Sequence, residues 1–395
     1  MSKSITAEQL RDKLDSNEEF ALIDTRGPGD FEAWHIRDAR NVEYSSTAGE
    51  LRGDWEAVAS ELGVDEDDEV VTVCAKGKSS ADFADWLEEQ GFENVASVKG
   101  GMESWARVYD VVPIDTHGDD VEIVQVQRRA RGCLSYVVGD TESGEAAVVD
   151  PTRHTEQYPE IANEYGLDIV AVFDTHIHAD HLSGGRALAD RLGVPYYLGE
   201  EAAERGTQYE FEGLGHHDVV SFGDVDVKAL HTPGHTTDIT SYLVEDEAVL
   251  TGDTLFVESI GRTELQFSGE DARGGARTMY DSLHRVLLSL PDSVQVLPGH
   301  FSLKPDGEAV DVTMGQPMLS TVGYLREHNR VLQLDEEEFV EHMFDTLPEK
   351  PANYETVIET NLGQHEIEDE EEANELELGP NNCAASEESM VTTDD

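Results

Sequence analysis

The sequence predicts an α/β protein made of two successive domains. Residues 5–112 alternate short apolar runs with helical patterns, which is typical of a small α/β unit around a parallel sheet. A polar, turn-rich stretch follows, and from Val121 a longer series of strand-like runs indicates a larger layered α/β domain. The expected organisation is a domain at 1–112, a linker at 113–120, a domain at 121–365 and an acidic C-terminal tail at 366–395.

Two strand-like runs and one helical pattern define the first domain. The runs ALID (21–24) and VVTV (70–73) are apolar and short, as strands buried in a parallel sheet are. The stretch from Ser80 to Glu89 has helical periodicity, and Gly91 is a natural C-terminal stop. In the second domain the corresponding strand-like runs are residues 169–173, 226–230, 241–244, 248–251 and 294–297.

The charge of the 395-residue chain restricts its partners and its surroundings. Its 85 acidic and 27 basic residues give a formal net charge of −58, the same sign as nucleic acids and anionic membranes, so we expect neither as a partner. A lysine-poor acidic surface suits concentrated salt, which screens self-repulsion. There is no apolar signal segment and no apolar run of roughly 18 residues. We therefore expect a cytoplasmic protein of a halophile.

The three cysteines lie far apart and form no CxxC pair, so we expect neither a disulfide framework nor a structural zinc knuckle. Cys133 lies in a strand-like run and is interpreted as a small buried apolar residue. Cys383 lies near the C-terminus, where we assign it to docking of the tail rather than to catalysis. Cys74 ends a strand-like run and is taken up below.

Metal-ligand residue types are concentrated at the ends of the strand-like runs in the second domain. The segment THIHADH follows the run 169–173, and three more candidates follow later runs. In open α/β sheets ligands gather beyond the carboxyl ends of strands, so these residues are expected to converge. Imidazole and carboxylate suit zinc or iron. The predicted metal-binding residues are His176, His178, Asp180, His181, His235, Asp253 and His300.

This pattern resembles the metallo-β-lactamase superfamily, in its glyoxalase II and persulfide dioxygenase branch. The resemblance covers roughly 121–301 and implies an αββα sandwich. A persulfide dioxygenase would hold one Fe²⁺ through His176, His235 and Asp253, and the other four residues would support these ligands. A two-zinc member would use all seven: His176, His178 and His235 at one ion, Asp180, His181 and His300 at the other, and Asp253 as the bridge. The sequence leaves both arrangements open.

Two further segments bear on the substrate. Gly261 to Leu265 is similar to the segment after the same aspartate in persulfide dioxygenases, and Arg262 could bind an anionic sulfur substrate there. A surface or fold-pairing role for Arg262 is the alternative. Phe301 and Ser302 follow His300 where glutathione-using members have an acid and a tyrosine, so the identity of the thiol stays open.

The first domain resembles a single rhodanese domain over about residues 5–112. Its candidate loop connects VVTV to a helix that starts near Ser79 or Ser80, and a cysteine at a helix N-terminus has a lowered pKa. The family carries sulfane sulfur as a cysteine persulfide, which implies that Cys74 is the acceptor. We interpret Asp24 and Arg26 as framework residues. The predicted persulfide-binding loop is Cys74, Ala75, Lys76, Gly77, Lys78 and Ser79.

These resemblances favour a persulfide dioxygenase that oxidises a small thiol persulfide with O₂ to sulfite and thiol, coupled to rhodanese sulfur transfer, with thiosulfate as a possible donor. The expected cofactor is one Fe²⁺ per chain, and two Zn²⁺ in the alternative, a glyoxalase II-like thioester hydrolase. A non-catalytic sulfur-sensing module is a third hypothesis. A homo-oligomer is compatible with the sequence.

Overall fold

The structure is a computed structural model in two compact units, each described by itself. Cys383 and the rest of the tail from 378 onward lie outside the described residues. Unit 1 is formed by residues 1–109, 128–131 and 303–308, and unit 2 by the remainder of the described chain. The described residues are 2–16, 18–45, 50–51, 63–118, 120–267, 270–310, 312–345, 350–351 and 353–377.

Unit 1 is an α/β domain around a parallel five-stranded sheet with the order β1-β7-β6-β2-β3. The short strands β4 and β5 pair antiparallel apart from it. The strands are Lys3–Ile5 (β1), Ala21–Asp24 (β2), Ala39–Asn41 (β3), Tyr44–Ser45 (β4), Glu50–Leu51 (β5), Glu69–Val73 (β6) and Asn94–Val98 (β7). The helices are Ala7–Asp15 (α1), Pro28–Ala33 (α2), Ser79–Glu89 (α3) and Gly101–Trp105 (α4).

The central strands of the unit 1 sheet, β2, β6 and β7, are buried on both faces. Val70 packs into one apolar cluster, whereas Val71 packs into another on the opposite face. Helix α3 buries Phe83 and Leu87 at the spacing that the sequence predicted. Strand β6 ends at Val73, so Cys74 lies between the carboxyl end of a parallel strand and the N-terminus of α3.

Unit 2 contains two sheets. The first has seven strands in the order β14-β13-β12-β11-β10-β9-β8, and the second has six in sequential order from β15 to β20. The strands of the first are Tyr109–Ile114 (β8), Val121–Arg128 (β9), Cys133–Asp140 (β10), Glu145–Val149 (β11), Asp168–Phe173 (β12), Tyr196–Gly199 (β13) and Glu212–Leu214 (β14). Those of the second are Val219–Phe222 (β15), Val225–His231 (β16), Thr240–Val244 (β17), Ala248–Gly252 (β18), Gln295–Pro298 (β19) and Ser320–Thr321 (β20).

The helices of unit 2 lie outside the two sheets. They are Gln157–Glu164 (α5), Gly185–Leu192 (α6), Glu270–Asp281 (α7), Val322–His328 (α8), Glu336–Asp345 (α9), Tyr354–Asn361 (α10) and Glu370–Leu376 (α11). A π-helical turn at Ser282–Val286 and a 3₁₀ turn at Leu287–Ser289 continue α7, and two more 3₁₀ turns occupy Glu200–Ala203 and Val331–Gln333. None of the helices in the described ranges has the length and apolarity that a bilayer span requires.

The layers of unit 2 follow from the packing of its apolar faces. Helices α5 and α6 pack against β12 of the first sheet. Val249 and Val296 of the second sheet share a cluster with Met279 of α7 and Phe339 of α9. The two sheets meet where the ring of Tyr242 in β17 lies 5.2 Å from the ring of Phe173 in β12. The predicted αββα sandwich is therefore confirmed.

The C-terminal end of the described chain contributes to this unit. The sequence predicts an acidic tail from residue 366, yet residues 370–376 form helix α11. Ala373 and Leu376 are buried against Leu182 and Val357. Three of the four acidic residues of α11 lie in its first turn, where the positive end of the helix dipole favours them.

Candidate metal centre

Four of the predicted metal-binding residues lie on one loop between β12 and α6. This loop, residues 174–184, is called the metal loop below. His176, His178, Asp180 and His181 are each at most 2% exposed on it. The loop has no regular secondary structure, so its backbone groups depend on side chains from elsewhere for hydrogen bonds.

Side chains from two neighbouring segments hold the start of the metal loop. Asp150, at the end of β11, accepts hydrogen bonds from the backbone N–H of Thr175 at 2.6 Å and from its hydroxyl at 2.9 Å. Asp238 accepts the N–H of Ile177 at 2.8 Å and is itself paired with Arg205 at 2.7 Å. The loop is thereby fixed where the ligand-bearing residues begin.

The other three predicted residues come from the ends of three strands of the second sheet. His235 follows β16, Asp253 follows β18 and His300 follows β19, and all three are buried. Because these strand ends face the metal loop, all seven residues come together in one region, as the rule for α/β sheets predicts.

Three donor atoms converge without hydrogen-bond partners among the described residues: Nε2 of His176, Nε2 of His235 and Oδ2 of Asp253. The two nitrogens lie 3.9 and 3.5 Å from that oxygen, and all three atoms are within 4.8 Å of one another. Ligands at about 2.0–2.2 Å from one ion are separated by roughly 3–4 Å, so this spacing fits a shared metal ion. We call these residues the triad.

The opposite ring nitrogens of the triad histidines are held by hydrogen bonds. Nδ1 of His235 donates to the backbone carbonyl of Arg262 at 2.6 Å. The Thr175 hydroxyl donates to Asp150, so its oxygen accepts from Nδ1 of His176 at 2.9 Å. Both assignments leave the Nε2 lone pair directed into the triad, which is the tautomer that a metal ligand requires.

The electrostatics of the triad agree with this. Burial lowers the pKa of His235, and burial together with the nearby His178 holds the pKa of His176 well below its usual range, so both imidazoles are neutral. Burial opposes ionisation of Asp253, but the surrounding histidines, His300 first, outweigh it and keep the pKa of that carboxyl well below its usual range. Two neutral imidazoles and a carboxylate fit a divalent ion.

A second group of four buried donors lies beside the triad: Cys133, Asp180, His181 and His300. Their side chains make close contacts with carboxylates, although Nε2 of His181 and Nε2 of His300 have no hydrogen-bond partner among the described residues. His300 bridges two carboxylates, with Nε2 at 2.9 Å from Asp180 and Nδ1 at 2.6 Å from Asp253. Nδ1 of His181 lies 3.1 Å from Asp180, and the Cys133 sulfur lies 3.7 Å from the same carboxylate. We call this set the paired group.

The place of Cys133 corrects the sequence interpretation, which gave it only a packing role. The residue is buried as expected, at 1% exposure, but its thiol belongs to a donor cluster. An isolated antiparallel bridge between Cys133 and His300 brings the two together. Burial opposes ionisation of the thiol, but the charges of His181 and His300 outweigh it and lower its pKa to about 6.

His178 groups with two other carboxylates. Its Nε2 lies 3.3 Å from Asp150, and Asp174 completes the set. Asp174 also accepts from the hydroxyl of Tyr196 at 2.7 Å, and burial raises its pKa to about 6. The seven predicted residues are thus brought into one region but divided among three groups.

Arg262 lies in the loop after β18 with its side chain 1% exposed. Its guanidinium forms an ion pair with Glu264. Its backbone carbonyl is the group that orients His235, and a Cβ added at Gly261 would overlap the carbonyl oxygen of Asp253. The segment therefore contacts two triad residues through its backbone. The role of Arg262 in substrate binding stays a prediction.

In unit 1 the predicted persulfide-binding loop wraps around Cys74. The Cys74 carbonyl accepts from the N–H of Met102 at 2.8 Å, and no side chain fits at Gly101 beside it. Burial raises the pKa of the thiol, but the hydroxyls of Ser79 and Ser80 and two backbone N–H groups outweigh it, so the pKa is lowered. Lys76 lies 3.6 Å from Glu103.

The framework residues of unit 1 support the loop that neighbours Cys74. The Arg26 guanidinium donates to Asp24 at 2.7 Å and to the Trp34 carbonyl at 2.6 Å. Asn41 donates to the carbonyls of Asp24 and Arg26 at 3.0 and 2.9 Å. These bonds fix the end of β2, which pairs with the strand that leads to Cys74.

Comparison with known proteins assigns each part. Residues 6–108 match the Rhodanese-like domain, and residues 128–300 match the Metallo-beta-lactamase superfamily. The mouse protein "Persulfide dioxygenase ETHE1, mitochondrial" is 30% identical over 230 residues, which cover 58% of this chain and 82% of that protein. The human protein of that name is 29% identical, with 58% and 83% covered.

Among solved structures, ETHE1 from Myxococcus xanthus is 30% identical with a TM-score of 0.52, covering 61% of this chain and 98% of that one. A metallo-beta-lactamase from Staphylococcus aureus is 28% identical with a TM-score of 0.56, covering 64% of this chain and 75% of that one. The chain belongs to the metallo-beta-lactamase superfamily. It is a homologue of the ETHE1 persulfide dioxygenases and carries a rhodanese-like domain at its N-terminal end.

For this member of the superfamily, the fold and the relatives establish a metal-dependent enzyme, either a metallo-hydrolase or a dioxygenase. The two families together imply small-molecule sulfur substrates. The supporting residues Asp150, Thr175 and Asp238 were not identified from the sequence. Asp150 carries one signal in the sequence, since it directly follows the apolar run AAVV at residues 146–149. In the structure it has the left-handed backbone conformation, with φ at 51°.

Proposed function

We propose that this protein is a persulfide dioxygenase. The reaction is R–S–SH + O₂ + H₂O → R–SH + SO₃²⁻ + 2 H⁺. The terminal sulfane sulfur is oxidised to sulfite, the S–S bond breaks, O₂ is reduced by four electrons, and the thiol leaves with one proton. The substrate class is a low-molecular-weight thiol persulfide, and the proposed cofactor is one Fe²⁺ per chain.

The convergence of the triad supports this proposal. Its three donor atoms face one another without hydrogen-bond partners among the described residues. In the paired group the Nε2 atoms of His181 and His300 have no hydrogen-bond partner there either, but His300 lies 2.9 Å from Asp180, and Nδ1 of His181 lies 3.1 Å from the same carboxylate. Two imidazoles and one carboxylate are the ligand set that non-haem Fe²⁺ oxygenases use, and this set leaves coordination positions open. An Fe²⁺ ion held by His176, His235 and Asp253 would supply the redox chemistry between O₂ and the persulfide.

The chain's own residues would orient these ligands. The Arg262 carbonyl and the Thr175 hydroxyl hold the Nδ1 protons of His235 and His176, so neither ring can rotate without losing a buried hydrogen bond. His300 donates Nδ1–H to Oδ1 of Asp253 and leaves Oδ2 for the metal. Burial of all these groups keeps bulk water away from a redox site.

Unit 1 is proposed to supply or remove sulfane sulfur at Cys74. The thiolate attacks thiosulfate, Cys–S⁻ + S₂O₃²⁻ → Cys–S–S⁻ + SO₃²⁻, and a small thiol then takes the sulfur, Cys–S–S⁻ + R–SH → Cys–S⁻ + R–S–SH. The hydroxyls and N–H groups that lower the pKa of Cys74 favour both the thiolate and the persulfide anion. The second product is the substrate of the proposed dioxygenase.

A second candidate is a two-zinc hydrolase of thioesters. The observation in its favour is that the paired group offers four buried donors within 4.8 Å, including a thiolate that suits zinc. One relative, the "Probable polyketide biosynthesis zinc-dependent hydrolase PksB" of Bacillus subtilis, is 29% identical over 209 residues, with 83% of that protein covered. Hydrolysis would need a metal-bound water rather than O₂.

The deciding experiment measures metal content and oxygen uptake on the same protein. The chain is purified without oxygen in molar salt, its iron and zinc are quantified, and O₂ consumption is followed with the persulfides of glutathione and of cysteine. One iron per chain with sulfite formed from persulfide supports the dioxygenase. Two zinc ions with hydrolysis of S-lactoylglutathione and no O₂ consumption would establish the hydrolase instead. Tight metal binding with neither reaction would favour the sensor.

A further inference from the structure

Asn361 is the last residue of α10, and every hydrogen bond that its carboxamide makes goes to the metal loop. Its Nδ2 donates to the backbone carbonyls of His178 at 2.9 Å and of His181 at 2.8 Å. Its Oδ1 accepts the N–H of Ser183 at 3.0 Å. Asn361 is 8% exposed. Three of the four hydrogen-bonding positions of a carboxamide therefore end on one short stretch of backbone.

Glu377, from the same part of the chain, binds the backbone of Leu182, the residue that follows His181. Glu377 follows α11, and one carboxylate oxygen accepts the N–H of Leu182 at 2.9 Å. The other accepts from the Arg153 guanidinium at 2.7 Å. Leu182 and Leu376 also belong to one buried apolar cluster. Residues 353–377, which we call the C-terminal clamp, thus bind the metal loop by both polar and apolar contacts.

The metal loop needs such partners. The carbonyls of His178 and His181 are buried, and they belong to no helix or strand that could pair them. An unpaired buried carbonyl is costly, so the loop would rotate its peptide planes toward other donors if the carboxamide were absent. Those planes flank Asp180 and lie two to five residues from the triad ligand His176. Rotating them would move the ligand-bearing stretch.

We propose that Asn361 is a positioning residue of the metal centre and that, within the C-terminal clamp, only the side chains of Asn361 and Glu377 belong to the binding site. The clamp lies beyond residues 128–300, which carry the superfamily match. The inference rests on the proposed function only in taking the metal loop as the ligand-bearing segment. It does not depend on which metal is bound or on which reaction follows.

The test is Asn361→Asp in the full chain. This change keeps the size of the side chain and the acceptor for Ser183, but it places a carboxylate oxygen where the amide donated to two carbonyls. We expect affinity for Zn²⁺ and for Fe²⁺, each added alone to metal-free protein, to fall about 10- to 100-fold. Competition with a chromophoric chelator, anaerobic for Fe²⁺, measures the affinity.

Two matched variants separate positioning from mere stability. Asn353→Asp makes the same chemical change in the clamp, but its amide donates to the Glu375 carbonyl at 2.9 Å within the clamp. Tyr209→Phe removes the hydroxyl that donates to the Asn361 backbone carbonyl at 2.8 Å and leaves the carboxamide in place. We expect both to bind metal as the wild type does. The visible spectrum of bound Co²⁺ should shift in Asn361→Asp alone.

Wild-type affinity and an unchanged Co²⁺ spectrum in Asn361→Asp would overturn the inference. Equal loss of affinity in Asn361→Asp and Tyr209→Phe, with equal loss of thermal stability, would also overturn it, because the carboxamide would then act only by docking the clamp. These outcomes are independent of turnover. A wild-type chain that binds metal tightly but consumes no O₂ would contradict the proposed dioxygenase and leave the role of Asn361 standing.

Discussion

The triad and the paired group contain the same kinds of residue, and His300 touches both. In the triad, Nδ1 of each histidine makes a hydrogen bond, whereas Nε2 is directed at Asp253 and has no hydrogen-bond partner among the described residues. In the paired group, His300 lies 2.9 Å from Asp180 and Nδ1 of His181 lies 3.1 Å from it, while Nε2 of His181 and Nε2 of His300 have no hydrogen-bond partner among the described residues. Buried donors without partners carry a cost that a metal ion removes. Both groups therefore retain histidine nitrogens that a metal ion could take, and they differ in how closely their histidines approach the carboxylates.

The largest effect should come from matched substitutions at the two aspartates. Asp253→Ala removes a proposed ligand, so we expect affinity for Fe²⁺ to fall by more than the roughly 10- to 100-fold that loss of a supporting residue costs. Asp180→Ala should stay within that smaller range. Iron content after anaerobic reconstitution and chelator competition measure both. Equal loss in the two variants would break the distinction between the groups and favour a two-metal centre.

Cys74 and Cys133, the cysteines within the described ranges, extend the comparison to unit 1. Cys74→Ser should reduce thiosulfate:thiol sulfurtransferase activity to background, because a hydroxyl cannot be persulfidated, while O₂ consumption with added persulfide persists. Cys133→Ser is the matched control and should keep full sulfurtransferase activity. A cyanide-based thiocyanate assay and an oxygen electrode follow the two reactions. If Cys74→Ser also stops O₂ consumption with free persulfide, the substrate passes through Cys74 and the two-site scheme is wrong.

A smaller effect is expected from the hydroxyl behind His176. Thr175→Val keeps the shape of the side chain but removes the acceptor for Nδ1 and the donor to Asp150. We expect metal affinity to fall about tenfold, the lower end of the range for such partners. Thr175→Ser restores the hydroxyl and should restore the affinity. A Thr175→Ser protein as weak as Thr175→Val would show that the methyl group matters rather than the hydrogen bond.

The smallest effect concerns the pH dependence of Cys74. Its pKa is lowered in the folded chain, so the thiolate's contribution to stability is present above the unfolded pKa and is lost as pH falls through the folded one. The acid limb of the sulfurtransferase rate should therefore lie below the pKa of an ordinary cysteine, about 8.5. Ser79→Ala removes one hydroxyl and should move this limb to higher pH. An unmoved limb would exclude the Ser79 hydroxyl as a cause.

The apolar runs predicted two successive α/β domains, and the resemblance to the metallo-β-lactamase superfamily implied the αββα sandwich. The stretches just beyond the ends of those runs carried the ligand types. The rule that ligands gather beyond the carboxyl ends of strands identified His235 and Asp253 before any distance between their side chains was known. It could not rank the seven residues, since the division into groups depends on which atoms face one another. Fe²⁺, the oligomeric state and the halophilic origin stay predictions.

The remaining parts of the site carry no local signal. Cys133 lies in a strand whose pattern indicates packing, and only the bridge to His300 brings its thiol into the paired group. Arg262 orients His235 through a carbonyl that every residue type possesses. Asn361 acts 183 residues away from the carbonyl of His178, and such a separation leaves no trace in spacing or periodicity.

That separation also sets an order of events during synthesis. A ribosome adds about 5–20 residues per second, so Asn361 follows His178 by roughly 10–40 seconds. Glu377 follows Leu182 by 195 residues, a similar delay. During this interval the nascent chain has the metal loop but not the groups that fix its carbonyls. If Asn361 and Glu377 hold the metal loop as proposed, the metal centre is complete only once residues 361–377 have been synthesised, so full metal affinity belongs to the finished domain and not to the growing chain.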